Sequence, residues 1–216
     1  MKQANRYVTI LGDSYSTFAG CLPEGNYVYY PREGIEDVKS ADDTWWRLLI
    51  KRRGLKLLLN DSSSGTTIST RVREQHTVAD AFINRMKRSL SSNGVEGKMP
   101  ELILIFGGTN DSWIGNEAGA LQFENWSDDD LTRVLPAYCY MLDYVKKSNP
   151  LAQIVCIINC NLREEIQSGI AAACAHYDVM SIQLHDISKI TGHPNKLGMQ
   201  QICDQVDEAL NHATEC

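Results

Sequence analysis

The stretch Ile10-Leu11-Gly12-Asp13-Ser14-Tyr15-Ser16 lies near the N-terminus and joins an apolar run to a polar turn. Its first residues, with Tyr7-Val8-Thr9 ahead of them, are mostly β-branched or apolar, which predicts a short buried strand. Gly12 permits a sharp turn, so Ser14 follows where the chain leaves the strand, at the sheet edge where ligands bind in open α/β folds. That position suits a nucleophile. Gly-Asp-Ser is also ordinary turn chemistry, so the tripeptide alone does not decide between the two interpretations.

Apolar runs alternate with amphipathic segments along the rest of the chain. This order of strand, loop and helix predicts a mostly parallel sheet with helices on both faces, in a single domain over residues 1–216. The further strands are expected at 55–59, 102–106, 153–158 and 178–184, and the helices at 45–51, 78–90, 131–147, 162–176 and 197–212.

Composition and charge exclude several classes of function. The net charge of −6 argues against nucleic acid or an anionic membrane as the main partner. No apolar stretch is long enough to span a membrane, and no apolar signal region precedes the first strand, so a cytoplasmic location is expected. Seven scattered cysteines are typical of reduced thiols. We expect no cofactor and no metal: nucleotide and zinc motifs are missing, and the acidic run 127–130 suits a helix N-terminus better than a metal.

Four polar segments follow predicted strands at one edge of the sheet. They are Gly12-Asp13-Ser14, Ser64-Gly65, Gly108-Thr109-Asn110-Asp111 and Gly192-His193-Pro194-Asn195. In this order they resemble the SGNH subgroup of the GDSL esterases and lipases, and the resemblance spans nearly the whole chain. It implies a three-layer α/β/α fold with a flavodoxin-like, five-stranded parallel sheet.

The resemblance also implies roles for four residues. Ser14 would be the nucleophile and His193 its general base. The backbone N–H groups of Ser14 and Gly65 and the side-chain amide of Asn110 would form the oxyanion hole. The chemistry fits these residue types, because a serine needs an adjacent base and histidine titrates in the right range. One preorganised donor to the oxyanion typically contributes about 3 kcal/mol to lowering the barrier.

One position departs from the family pattern. Family members commonly carry an Asp three residues before the histidine, where this sequence has Ile190. Either Asp186 reaches the imidazole, or a backbone carbonyl accepts its proton and the enzyme works as a Ser-His dyad; the carbonyl of Ile190 is the candidate. A carbonyl would fix the tautomer but stabilise the imidazolium less than a carboxylate does. The dyad is the interpretation that the sequence slightly favours.

The remaining polar and aromatic residues support weaker predictions. The long segment from 17 to 42 carries Tyr27, Tyr29 and Tyr30, and we expect an ordered loop that forms a substrate-side wall, with plain packing as the alternative. Asp13 is expected to brace the turn by hydrogen bonds to nearby backbone. Three histidines are expected at the surface: His76, His176 and His212.

Together these features predict a serine esterase that cleaves carboxylic esters through an acyl-Ser14 intermediate. The substrate would be a small-molecule or glycan ester with a short acyl group, and a carbohydrate ester is one candidate. One alternative is a lysophospholipase or thioesterase that uses the same site. Another is a glycan-binding protein that has lost activity, which the departure at Ile190 would support. The oligomeric state is left open.

Overall fold

Five parallel strands form the central sheet, in the order β2-β1-β3-β4-β5. The computed structural model describes residues 6–35 and 37–212. The strands are β1 (Tyr7–Gly12), β2 (Lys56–Ser62), β3 (Leu102–Phe106), β4 (Gln153–Ile158) and β5 (Met180–Gln183). This is the flavodoxin-like strand order. The predicted α/β fold class is therefore confirmed, and the predicted bounds of β3 and β4 agree with the structure.

Helices cover both faces of the sheet. Helices α1 (Trp45–Arg53) and α6 (Lys196–His212) pack on one face. Helices α2 (Phe82–Ser89), α4 (Val134–Ser148) and α5 (Glu164–His176) pack on the other. The central strand β3 is buried on both sides: Leu104 faces the first layer and Ile105 the second. A strand enclosed in this way must be apolar throughout, as the run 102–106 is.

Several predicted bounds were wrong. Strand β2 continues to Ser62, because its polar residues find partners inside the fold: Asn60 Nδ2 donates to the Ser16 carbonyl at 2.9 Å, and Ser62 Oγ donates to Asn60 Oδ1 at 2.6 Å. The predicted helices 78–90 and 131–147 each begin with a separate 3₁₀ turn, at Val78–Asp80 and at Asp130–Thr132.

A short helix and a short hairpin were missed in segments that were predicted to be loops. Helix α3 (Thr109–Trp113) begins after the two glycines that follow β3. Strands β6 (Lys189–Ile190) and β7 (His193–Pro194) form an antiparallel hairpin ahead of α6. Both are too short to show a hydrophobic period in the sequence.

The basic run at the end of α1 joins this helix to α6. Arg52 Nη2 lies 2.7 Å from Asp204 Oδ1, and Arg53 Nε lies 2.6 Å from Asp207 Oδ1. These contacts give the run a structural role, as its place at a helix end indicates. Trp45 and Trp46 at the start of the same helix are fully buried, so they pack in the core.

The described part of the chain contains six cysteines, and all are free thiols; Cys216 lies outside it. No helix within residues 6–35 and 37–212 is long and apolar enough to cross a membrane. Nor do those residues include a group of three or more His, Cys, Asp or Glu side chains that could hold a metal ion.

A buried arginine joins the ends of β1 and β2. The Arg85 guanidinium donates to the Gly12 carbonyl at 2.9 Å and to Thr66 Oγ1 at 3.1 Å. It also donates to the carbonyl of Asp61 and lies 3.3 Å from the buried carboxylate of that residue. A buried charge is tolerated only when it is paired and hydrogen-bonded, and here the pairing fixes the two loops that follow these strands.

We expect Arg85→Met to lower the free energy of unfolding by about 3 kcal/mol, because it removes one partner of a buried ion pair and leaves carbonyls unpaired. Urea denaturation at neutral pH measures this change. Lys147→Met is the control, since Lys147 makes an exposed pair with Asp143, worth less than about 1 kcal/mol. Equal losses in the two variants would contradict the structural role of Arg85.

Candidate active site

Ser14 and His193 meet at the carboxyl edge of the sheet. His193 Nε2 lies 2.9 Å from Ser14 Oγ, within hydrogen-bond distance. Ser14 opens a 3₁₀ turn directly after β1, and His193 begins β7. Gly12 is required ahead of this turn, because a Cβ there would lie 2.5 Å from Ser62 Oγ. A hydroxyl in contact with an imidazole is the arrangement of an activated nucleophile.

The loops after β2 and β3 bring Gly65 and Asn110 to the same edge. In the sheet, Gly12 pairs with Ser62 of β2 and with Phe106 of β3, so the three loops leave at one level. Asn110 Nδ2 donates to the Thr66 carbonyl at 3.0 Å, which fixes the amide beside the Gly65 loop. An amide nitrogen carries two hydrogens, so Asn110 can also donate to a ligand.

Gly65 has a positive φ of +81°, and a Cβ there would lie 2.5 Å from His76 Nε2. His76 is buried, which overturns its predicted surface position. The cause is the long loop: the Tyr27 ring packs edge-on against the His76 ring at 4.5 Å between centroids. His176 and His212 are exposed, as predicted.

Asp111 fixes helix α3 to the segment that follows Gly65. Its buried carboxylate accepts from the Ile68 N–H at 2.7 Å, from Ser69 Oγ at 2.8 Å and from Asn116 Nδ2 at 3.1 Å. Burial raises the pKa of this carboxyl, and the hydrogen bonds oppose that rise. From the sequence, Asp111 was predicted to lie in one of the site segments, but no role was predicted for it. No sequence pattern indicated that Ser69 or Asn116 would bind its carboxylate.

Asp13 braces the turn that carries Ser14, as predicted. Its Oδ1 accepts from the Tyr15 N–H at 3.1 Å and caps the 3₁₀ turn. The residue is fully buried, and burial raises the pKa of its carboxyl to about 7.

The imidazole of His193 has a backbone carbonyl beside its second nitrogen. Nδ1 lies 3.5 Å from the carbonyl oxygen of Thr191, a long contact for a hydrogen bond. The expectation of a carbonyl therefore agrees with the structure, but the residue is Thr191 and not Ile190. Ile190 is the ladder partner of His193 in the β6–β7 hairpin, and the two-residue turn between them presents the Thr191 carbonyl to the ring.

Asp186 does not reach the imidazole. Its side chain is 94% exposed and lies 3.1 Å from Nδ1 of the neighbouring His185. No described Asp or Glu lies within ion-pair distance of His193.

Aromatic rings enclose His193. Tyr29 stacks on the imidazole, with 3.6 Å between centroids and 12° between planes. Tyr15 and Trp113 lie at 5.4 and 5.6 Å. The Tyr30 hydroxyl donates to the carbonyl of Pro194 at 2.7 Å, and that of Tyr15 donates to the carbonyl of Gly192 at 2.6 Å. Tyr29 and Tyr30 therefore pack against residues of the site.

This environment sets the charge state of His193. Burial, helped by the positive charges of Arg32, Lys189 and Arg73, lowers the pKa of the imidazole to about 4, while the Thr191 carbonyl opposes this shift. His193 is therefore neutral at pH 7. A neutral imidazole can accept the proton of Ser14.

Comparison with known proteins places this geometry in a family. The profile of the family described as GDSL-like Lipase/Acylhydrolase matches residues 6–210. The chain belongs to this family. Its members are ester hydrolases, and so is this protein. No curated protein matches the sequence.

Solved structures of other proteins share this fold. A candidate GDSL-like lipase from Bacteroides uniformis is 40% identical, with a TM-score of 0.88 over 97% of each chain. Another, from Bacteroides ovatus, is 38% identical, with a TM-score of 0.88 over 97% of this chain and all of that one. A family two carbohydrate esterase from Clostridium thermocellum, solved with cellohexaose, is 14% identical, with a TM-score of 0.62 over 97% of this chain and 65% of that one. The last likeness is one of fold alone.

Removal of the stacked ring should change the titration of the GDSL-like hydrolase. In Tyr29→Leu, water reaches the imidazole, so the pKa of His193 should rise from about 4 toward the ordinary 6.5. An NMR titration of the imidazole Cε1–H signals, assigned with His193→Gln, measures it. Tyr27→Leu is the matched control, because Tyr27 packs on His76. An unchanged pKa in Tyr29→Leu would show that the stacked ring does not set it.

Proposed function

We propose that the protein is a serine esterase in which Ser14 and His193 act as a catalytic dyad. The observation that carries this proposal is the 2.9 Å contact between Ser14 Oγ and His193 Nε2 at the carboxyl edge of the sheet. The neutral state of His193 supports it, because a base must be unprotonated to act.

The reaction would proceed in two halves. His193 Nε2 takes the hydroxyl proton as Ser14 Oγ attacks the acyl carbon, and the oxyanion is bound by the N–H groups of Ser14 and Gly65 and the amide of Asn110. The C–O bond to the alcohol then breaks, and His193 gives its proton to the leaving oxygen. In the second half, His193 removes a proton from water, which attacks acyl-Ser14 and releases the acid and the free serine.

His193 is charged only between these proton transfers. The Thr191 carbonyl at 3.5 Å is the acceptor beside its Nδ1, so the imidazolium gains less stabilisation than a carboxylate would provide. The stacked Tyr29 ring fixes the plane of the imidazole, a task that the carboxylate of a triad shares. We therefore assign the orientation of the imidazole to the aromatic rings and the choice of its tautomer to the Thr191 carbonyl.

The substrate that the mouth of the site supports best is a short-acyl ester with a polar alcohol, such as a sugar. Tyr27, which packs on His76, and Trp113, which packs on His193, are 43% and 46% exposed, and both combine a flat apolar face with a polar group. Three exposed aliphatic side chains favour a second candidate, a lysophospholipase or thioesterase: Val28, Ile114 and Ile190.

Hydrolysis of 4-nitrophenyl acetate, butyrate and octanoate tests the proposal. We expect the highest kcat/KM on acetate, and a loss of at least about 10⁴-fold in Ser14→Ala, because the nucleophile is removed. Ser168→Ala is the control, since Ser168 is exposed on α5 and its hydroxyl donates to the Glu164 carbonyl.

Each part of the proposal has its own contradicting result. An optimum at octanoate would replace the short-acyl esterase by the second candidate. Equal rates in wild type and Ser14→Ala would remove the catalytic role of Ser14 and favour a glycan-binding protein that has lost activity.

A further inference from the structure

Two cations lie over the aromatic rings that enclose His193. Arg32 Cζ is 5.0 Å from the centroid of Tyr29, the ring stacked on the imidazole. Lys189 Nζ is 5.4 Å from the centroid of Tyr15, the second ring beside it. Lys189 also donates to Asn159 Oδ1 at 3.3 Å, which holds its ammonium at this end of the sheet.

These cations differ from most arginines of the described chain in having no acidic partner. Carboxylates lie within 4 Å of the arginines that pack the helices and loops, Arg52, Arg53, Arg85, Arg88, Arg133 and Arg163. No described Asp or Glu lies within that distance of Arg32 or Lys189. In a chain with a net charge of −6, two cations without an acidic partner among the described residues thus lie over the rings that enclose one histidine.

Such an arrangement focuses positive potential on the cleft and attracts anions to it. The position of these cations relative to the reacting atoms indicates which part of the substrate is charged. His193 protonates the leaving alkoxide, so the alcohol portion of the ester lies on the His193 side and the acyl oxygen lies on the side of Gly65 and Asn110.

We propose that the alcohol portion of the substrate carries an anion, a carboxylate in the first instance, which Arg32 and Lys189 recognise. This inference rests on the proposed esterase function and narrows its substrate class to acylated hydroxy acids, sugar acids included. Arginine suits this task because its guanidinium presents several fixed donors to a carboxylate.

The rival explanation is that the cations stabilise the negative transition state of any ester. It predicts equal benefit to charged and neutral substrates. A pair of substrates that differ only in the charge of the alcohol portion therefore separates the two explanations.

The test compares 4-acetoxybenzoate with 4-acetoxybenzamide, which release phenols bearing a carboxylate and a carboxamide. The carboxamide withdraws electrons more strongly than the carboxylate, so the carboxamide ester is intrinsically the more reactive of the two. A preference of the enzyme for the carboxylate ester would therefore oppose intrinsic reactivity. To correct for this difference, each enzymatic rate is divided by the rate at which hydroxide hydrolyses the same ester. We expect wild type to prefer the carboxylate by at least about tenfold in kcat/KM, equivalent to about 1.4 kcal/mol. The preference should fall as sodium chloride is raised.

Single variants locate the effect. Arg32→Gln and Lys189→Gln should each reduce the carboxylate-to-carboxamide ratio about three- to tenfold. Arg32→Lys should keep most of it, because it keeps the charge. Lys147→Gln, which removes an exposed cation on α4, is the control and should leave the ratio unchanged.

A ratio of one in wild type, or a ratio that the two glutamine variants leave unchanged, would overturn the inference. Ser14-dependent hydrolysis of 4-nitrophenyl acetate in the same preparation separates this failure from failure of the proposed function. If that activity persists while the ratio is one, the esterase stands and only the anionic substrate is wrong.

Discussion

The register of β1 with its two neighbours is the constraint on which the site depends. Gly12 pairs with Ser62 on one side and with Phe106 on the other, so the loops after β1, β2 and β3 begin at one level. Parallel strands alone produce this arrangement, because all their carboxyl ends meet at one edge. The buried Arg85 then joins the first two loops, and the Thr66 carbonyl joins the second to Asn110. Polar groups that must find partners inside the fold thereby hold the groups that face the substrate.

His193 shows how an imidazole is placed without a neighbouring carboxylate among the described residues. A stacked tyrosine fixes the plane of the ring, a backbone carbonyl lies beside Nδ1, and burial with nearby cations keeps the ring neutral. The arrangement strongly favours the neutral, basic form of the imidazole and stabilises the imidazolium only weakly. It suits a reaction in which the proton passes quickly to a leaving alkoxide, and the cations that disfavour the imidazolium are suited to binding an anionic alcohol.

The sequence predicts the fold well because buried strands carry a strong local signal. The run 102–106 has no polar residue, and its bounds agree with the structure. The family resemblance also brought together Ser14 and His193, which are 179 residues apart. Prediction from the residues failed where the answer depends on tertiary contact: Tyr27 packs on the buried His76, and the Thr191 carbonyl faces the imidazole because of a hairpin too short to leave a pattern. The burial of Arg85 could not be predicted, because a lone arginine in a helix is ordinarily exposed to solvent. The roles of the site residues, the single-domain boundary and the cytoplasmic location stay predictions.

The central claim is that His193 activates Ser14 as a nucleophile. Diisopropyl fluorophosphate tests it directly, because this reagent phosphorylates an activated serine and leaves ordinary hydroxyls unchanged. Intact mass and peptide mapping after treatment should show one adduct, on Ser14, in the wild-type protein. The adduct should be lost in Ser14→Ala and strongly reduced in His193→Gln. An adduct on another residue, or equal labelling of Ser14 with and without His193, would contradict the account.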